Sequence, residues 1–288
     1  MNAQNRKEAR LRKAVRSVWC VSDGTTGMRQ QSLAVAAVMK WDRCADFRDI
    51  VITPHPLLRY APRIGRWWPR LPLTQAGDAS LPRISNADDF PQILVTCGRR
   101  MAGISMALKA RAKQQGAQLT TIHLQDPRLD PACFDILIVP HHDPARGNNV
   151  IVTTAALNRL DQSHIADAAT YLPKSWQVAA KPRVAVLVGG DNRRYRISEK
   201  MAADLASQLH HFAKANDASL LLVPSRRCPD SVWQQLQAAL KDINCLIPGK
   251  QQKTPYPGVL GIADAVIVTS DSVNMVSEAA STGKPVMI

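Results

Sequence analysis

Short apolar runs rich in β-branched residues recur along this chain, and longer stretches in which apolar residues return every three or four positions lie between them. Strands buried on both faces of a parallel sheet read as continuous apolar runs, and amphipathic helices read with a period near 3.6, so the alternation predicts βα units. In the first half, strands are expected at Val18 to Ser22, Ile50 to Thr53, Ile93 to Cys97, Leu119 to Leu124, Ile136 to Pro140 and Val150 to Thr153. Helical spacing covers Gln31 to Met39 and Met101 to Lys113. Between Thr53 and Asp89, six prolines from Pro54 to Pro82 argue against regular structure. That segment, which carries Trp67-Trp68, reads as a surface excursion or an interdomain wall.

The alternation breaks after Ala155 and resumes beyond Ala179-Ala180-Lys181-Pro182. Residues 156–182 are therefore expected to be a linker between an N-terminal domain, 1–155, and a C-terminal domain, 183–288. The second series predicts a strand at Val184 to Val188, a helix from Ser198 to Ala215, a strand at Leu220 to Val223 and a helix from Asp230 to Lys241. Strands at Cys245 to Ile247 and Ala265 to Thr269, a helix from Ser272 to Thr282 and a strand at Val286 to Ile288 follow. Two such series imply an α/β fold of two Rossmann-like domains facing a cleft. A buried-type strand normally has a covering helix after it, so the second domain reads as truncated at its last strand.

Composition narrows the function. The 288 residues suffice for two cores. Lysine and arginine outnumber the acidic residues 37 to 23, for a net charge of +14, which predicts attraction to a polyanion. The cations are dispersed, without aromatic-basic interleaving, zinc-finger spacing or a helix-turn-helix pattern, so no nucleic-acid reading head is evident. The densest stretch, Arg6 to Arg16, reads either as a contact with an anionic membrane surface or as a solvated terminus. Six scattered cysteines without a C-x-x-C pair argue against a disulfide framework and a zinc site, and fit a reducing cytoplasm. No apolar run reaches the roughly 18 to 20 residues of a membrane span, and no signal-peptide core precedes the first strand. The expected location is cytoplasmic, peripheral at the inner face of the membrane.

Candidate chemistry sits where strands end. After Val188 come Gly189 and Gly190, then Arg193, Arg194 and Arg196, then a helix opening at Ser198. Glycines let backbone N–H groups approach an anion, a helix N-terminus presents more of them, and arginines add charge-assisted bonds to a diphosphate. An ordinary tight turn capped by Ser198 is the alternative. Ser225, Arg226 and Arg227 end the next strand, where they can grip phosphate or remain surface charge. The segment Thr269 to Glu278 places Asp271 or Ser272 as a helix cap, with Ser277 and Glu278 inside the helix. Glu278 can accept both hydroxyls of a ribose, or be an exposed helical glutamate. In the first half, Asp23 follows a strand beside Gly24 and Gly27, as a general base or as an Asx-turn residue. Gly98-Arg99-Arg100, Asp126-Pro127-Arg128 and His141-His142-Asp143 also follow strands. Adjacent histidines point apart, so no metal site is assigned there.

These motifs, with Tyr195 and Pro255-Tyr256, resemble in their order the bacterial and plant family of mitochondrial fission proteins of the elongated-mitochondria type. The resemblance spans nearly the whole chain. The family is similar in layout to glycosyltransferase-B enzymes such as the peptidoglycan lipid-intermediate glucosaminyltransferase, whose glycine-rich loop resembles Gly189-Gly190 and whose nucleotide-sugar glutamate resembles Glu278. It implies metal-independent transfer from a nucleotide-sugar, which is a substrate with no further cofactor. The donor belongs in the C-terminal domain, and a lipid-linked or otherwise anionic acceptor in the N-terminal domain. Two departures stand out. Met28 occupies the position after Asp-Gly-x-x-Gly where the family often has histidine, so no histidine base is assigned, and the related transferases extend past the last strand. The rival expectation is a non-catalytic adaptor that recruits a membrane-remodelling partner. A nucleotide-sugar epimerase is set aside because Asp23 to Gly27 lacks the G-x-G-x-x-G fingerprint.

Overall fold

The computed structural model describes residues 15–68, 70–160, 162–192, 195–247 and 256–288. The chain divides into two compact units, one ending at Arg159 and the other beginning at Leu160. In the first unit β1 (Ser17–Ser22) leads to α1 (Thr26–Val38), β2 (Asp46–Val51), α2 (Pro56–Tyr60) and α3 (Ile64–Trp67). It continues through β3 (Ile93–Cys97), α4 (Arg99–Gln114), β4 (Thr120–Leu124), β5 (Ile136–Pro140) and β6 (Val150–Thr153). The strands form one parallel sheet in the order β2-β1-β3-β4-β5-β6. Its central strands are buried on both faces, as continuous apolar runs require: Val18 and Cys20 pack on one side, Trp19 and Val21 on the other.

The proline-rich segment is more regular than its prolines suggest. Pro56 occupies the first turn of α2, where its missing N–H costs nothing, and His55 Nδ1 accepts from Leu57 N–H at 3.3 Å. Both short helices lie backbone-close on α4. A Cβ on Gly103 would stand 2.3 Å from the Leu58 carbonyl oxygen, and one on Gly65 would stand 2.5 Å from the Gly103 carbonyl oxygen. Leu58, completely buried, anchors the segment from beneath.

The second unit starts inside the segment read as a linker. There α5 (Gln162–Thr170) and α6 (Lys174–Gln177) precede β7 (Arg183–Val188), α7 (Glu199–Asn216), β8 (Ser219–Pro224), α8 (Asp230–Ala239) and β9 (Cys245–Leu246). Then come α9 (Tyr256–Ile262), β10 (Ala265–Val268), α10 (Val273–Ser281) and β11 (Val286–Met287). The sheet is again parallel, ordered β11-β10-β7-β8-β9. Val184, Val186 and Val188 face one core, Ala185 and Leu187 the other. Two glycines of α9 explain why the expected linker is helical. Gly258 sits against the Ala168 carbonyl, where a Cβ would come within 2.4 Å, and Gly261 sits against Ile165, so α5 docks directly on α9. No helix among the described residues is long and apolar enough to cross a membrane.

One core group of the first unit titrates. His123 on β4 is completely buried, stacked on Phe134 at 4.5 Å, with Nδ1 2.8 Å from Thr96 Oγ1. Burial pushes the imidazole down to about 3 from 6.5. The unfolded chain therefore takes up a proton below pH 6.5 that the folded chain refuses. Stability from this group is complete above pH 6.5 and is lost as pH falls toward 3, at up to about 1.4 kcal/mol per pH unit. Wild type should lose more melting temperature between pH 7 and pH 5 than His123→Gln. Identical losses would show that the imidazole does not govern acid sensitivity.

Candidate functional site

Each parallel sheet has one place where successive crossovers run in opposite directions, the position at which open α/β sheets generally take ligands. In the second unit this switch point lies between β7 and β10, so it joins Gly189-Gly190 to the Thr269–Asp271 loop. The loops are bonded directly. Gly189 N–H donates to Thr269 Oγ1 at 2.7 Å, Thr269 Oγ1 donates to Asp271 Oδ1 at 2.6 Å, and Gly190 N–H donates to Asp271 Oδ2 at 3.0 Å. Asp271 is 6% exposed at its side chain and pairs with Arg227 Nη2 at 3.3 Å, while Asn192 Nδ2 donates to its carbonyl at 3.0 Å.

The glycines are thus required by the protein's own packing. A Cβ on Gly189 would fall 1.7 Å from Asp271 Oδ1, and one on Gly190 would fall 2.0 Å from the Arg227 carbonyl. Their N–H groups, expected to be open toward phosphate, are held by Thr269 and Asp271. Asp271 is correspondingly not the helix cap. Ser272 takes the cap position of α10 without a side-chain cap bond. Ser277 is buried and returns its hydroxyl to the Val273 carbonyl at 2.7 Å, a bond within its own helix. Ser198 does cap α7, accepting from Met201 N–H at 3.2 Å, but the intervening loop separates that helix start from the glycines. Asp191 accepts from Ile197 N–H at 3.0 Å, and Asn192 Oδ1 accepts from Tyr195 N–H at 3.0 Å, folding this loop on itself. Arg193 and Arg194 lie outside the described residues, as do Pro255 and the basic positions before residue 15. Ser225 Oγ accepts from Arg227 N–H at 3.2 Å, so the Ser225-Arg226-Arg227 turn is internally tied and delivers Arg227 to Asp271.

Glu278 is not an exposed helical glutamate. It lies half-buried on α10, the helix that leaves the switch point, and faces the buried Tyr256 hydroxyl at the start of α9. Burial raises the carboxyl above its usual range, and the tyrosine hydroxyl offsets part of that rise. The far end of α9 is closed by Lys284, whose Nζ donates to the carbonyls of Leu260, Gly261 and Ala263 at 2.6, 2.7 and 2.5 Å. Thr269 and Lys284 were missed in the sequence, although a threonine two residues before an aspartate at a strand end is a legible hydrogen-bonding pair.

In the first unit the switch point falls between β1 and β3, and it brings Asp23 to Arg100. Asp23 Oδ1 accepts from Thr25 N–H at 3.1 Å, the Asx turn, and Oδ2 pairs with Arg100 Nη1 at 3.2 Å. Burial pushes this carboxyl up, but the Thr25 and Arg100 bonds together outweigh it and hold it below the usual carboxylate range. Met28 packs under Gly98, whose φ of +82° suits glycine. A cavity of about 510 Å³ opens at the same sheet edge, lined by Arg99, Gln125, Asp126, Arg128, Asp143 and Pro144. Its carboxylates hold backbone: Asp126 Oδ1 accepts from Arg128 N–H at 2.7 Å, and Asp143 Oδ2 from Asp126 N–H at 3.0 Å. His142 Nε2 stands 3.9 Å from Asp143 Oδ1. Among the described residues, no group of three His, Cys, Asp or Glu side chains is placed to hold a metal ion.

Comparison with known proteins gives the chain a family and a fold type. The profile of the family "Mitochondrial fission ELM1" matches residues 26–288. The mitochondrial fission protein ELM1 of Arabidopsis thaliana is 28% identical over 237 residues, covering 74% of this chain and 54% of the relative. The chain thus spans about half of that relative's length. The uncharacterized protein RP120 of Rickettsia prowazekii is 26% identical over 309 aligned positions, covering 94% of this chain and 82% of the relative. Among solved structures, UDP-GlcNAc 2-epimerase from Neisseria meningitidis bound to UDP-GlcNAc superimposes with a TM-score of 0.53 at 13% identity, over 94% of this chain and 82% of that one. That likeness is one of fold, the glycosyltransferase-B type. Because a protein called an epimerase shares it, lack of a dinucleotide fingerprint does not separate epimerase from transferase here.

Proposed function

The chain belongs to the mitochondrial fission ELM1 family, and from that premise we propose that it is a metal-independent glycosyltransferase that uses a nucleotide-activated sugar. The second unit holds the donor, and the first holds a lipid-linked or otherwise anionic acceptor. The observation that carries this reading is the second switch point, where Gly189, Gly190, Thr269, Asp271 and Arg227 are bonded into one edge beside the helix bearing Glu278. The fold shared with a structure that binds UDP-GlcNAc supports it.

In this reading Glu278 accepts the ribose hydroxyls. The N-terminus of α10 and the arginines near β7 and β8 stabilise the departing diphosphate, which removes the need for a metal. Asp23 serves as the base for the acceptor hydroxyl. Arg100 and Thr25 keep it ionised at neutral pH.

A thermal-shift screen against UDP-, GDP-, ADP- and CMP-sugars tests the proposal. A donor present at 100 times its dissociation constant should stabilise the protein by about 2.7 kcal/mol. Isomerisation of that sugar without an acceptor would convert the reading to an epimerase. A second reading rests on the Arabidopsis relative's name: an adaptor that recruits a membrane-remodelling partner through its surface. It predicts that no nucleotide-sugar shifts the melting curve.

A further inference from the structure

The proline-rich segment of the first unit has not entered the chemistry, and its surface is unusual. Tyr60, Trp67 and Trp68 are 75%, 78% and 57% exposed, whereas Trp19, Trp41, Trp176 and Trp233 are at most 7% exposed. The exposure is built in, since Gly65 and Gly103 hold the backbone against α4 and Leu58 is buried below. Four arginines, at 59, 63, 66 and 70, interleave with these aromatics, and no acidic residue occurs from Val51 to Gly77. This corrects the expectation that the chain lacks aromatic-basic interleaving. Arg59 lies over the Tyr60 ring at 5.3 Å and Arg66 over the Trp67 ring at 5.6 Å.

Arg66 also borders a cavity of about 550 Å³ lined by Lys109 and Lys113 of α4 and by Met106 and Cys133. Lys109 is paired with Asp135 at 2.7 Å. Among the described residues, Arg66 and Lys113 have no carboxylate partner. A cavity of this size suits a small ligand, and its unpaired cations suit a phosphate.

We propose that this face docks the protein on an anionic lipid bilayer, with Trp67 and Trp68 seated at headgroup level and a lipid phosphate in the cavity bounded by Arg66, Lys109 and Lys113. Tryptophan and tyrosine concentrate at bilayer interfaces because one end of the ring system is apolar and the other wet. Interfacial binding combines buried apolar area with electrostatic attraction, and here both stand side by side. The proposal is independent of the donor reading, because vesicle binding tests the one and nucleotide-sugar titration the other.

Flotation of the full chain with vesicles of phosphatidylcholine, with and without phosphatidylglycerol, decides it. The anionic vesicles should capture wild type and shift its tryptophan emission to the blue, since Trp67 and Trp68 alone among the tryptophans have water to lose. Trp67→Ser/Trp68→Ser keeps the net charge and should bind about tenfold more weakly, with no blue shift and an unchanged melting temperature. Arg66→Gln/Lys113→Gln should weaken binding similarly but retain the shift at high vesicle concentration. Undiminished binding of the tryptophan variant would overturn the proposal, leaving diffuse charge attraction. Equal capture by neutral and anionic vesicles would also overturn it. So would binding of soluble glycerol phosphate, lost in Arg66→Gln/Lys113→Gln, without vesicle capture, which would assign the cavity to a free phosphate compound. Capture by neither vesicle type would leave the aromatic face to a protein partner.

Discussion

Asp23→Asn should lower sugar transfer by about a hundredfold or more while leaving donor affinity unchanged. The substitution is mild structurally, because an asparagine Oδ1 still accepts from Thr25 N–H in the Asx turn. What disappears is the negative charge facing Arg100 and the proton acceptor at the edge of β1. Since the Asp23 carboxyl is held below its usual range, the stability it adds is complete above the ordinary carboxylate pKa and is lost only as pH falls through its lowered value. The transfer rate of wild type should accordingly show no acid limb from this group near neutrality. Steady-state kinetics and a donor titration on the same preparations separate the outcomes. Turnover at the wild-type rate would leave Asp23 as a loop-shaping residue.

Glu278→Gln should move affinity and stability in opposite directions. If the carboxylate receives the ribose hydroxyls, loss of its charge removes about 1.5 to 3 kcal/mol of binding, or roughly ten- to a hundredfold in affinity. The ligand-free protein should respond the other way. Burial raises the folded carboxyl above 4.5, so the folded chain holds a proton that the unfolded chain has released. Stability therefore declines as pH rises through that window, because ionisation puts a charge in a half-buried position. Glutamine has no such group, so Glu278→Gln should melt no lower than wild type at pH 7 and show a flatter pH dependence. Calorimetry with the best donor and melting curves without ligand supply both readings. A variant that binds the donor as wild type does would disprove the ribose role, and an exposed glutamate would have changed neither quantity.

The central strands and the long helices were legible in the sequence because both faces of a parallel sheet are dry, which turns burial into continuous apolar runs. Where burial is one-sided or small-residue packing takes over, the signal thins. The edge strand β2 begins at Asp46, four residues before the expected start, because Asp46 and Arg48 face solvent and Asp49 is paired with Arg29 of α1 while their backbone pairs with β1. Helix α1 begins at Thr26 and α4 at Arg99, ahead of their apolar stripes, since first turns need no apolar face. Helix α5 escaped because its contact with α9 runs through Gly258, Gly261 and backbone carbonyls, which carry no hydrophobic period. The strand-end loops of the candidate site were also legible as glycine, arginine and aspartate after apolar runs. Their internal bonding was not, because a glycine that admits a ligand and a glycine that admits Asp271 look alike in sequence.

Lys284 joins the two helices that carry Tyr256 and Glu278 without touching either residue. Its ammonium sits among three carbonyls at the exit of α9, one residue beyond the Gly283 turn that follows α10. Three donors are needed there, and an acetylated lysine keeps one. Acylation at this single amine would unfasten the end of α9 and so loosen the setting of Tyr256 against Glu278, a remote chemical lever on a half-buried carboxylate.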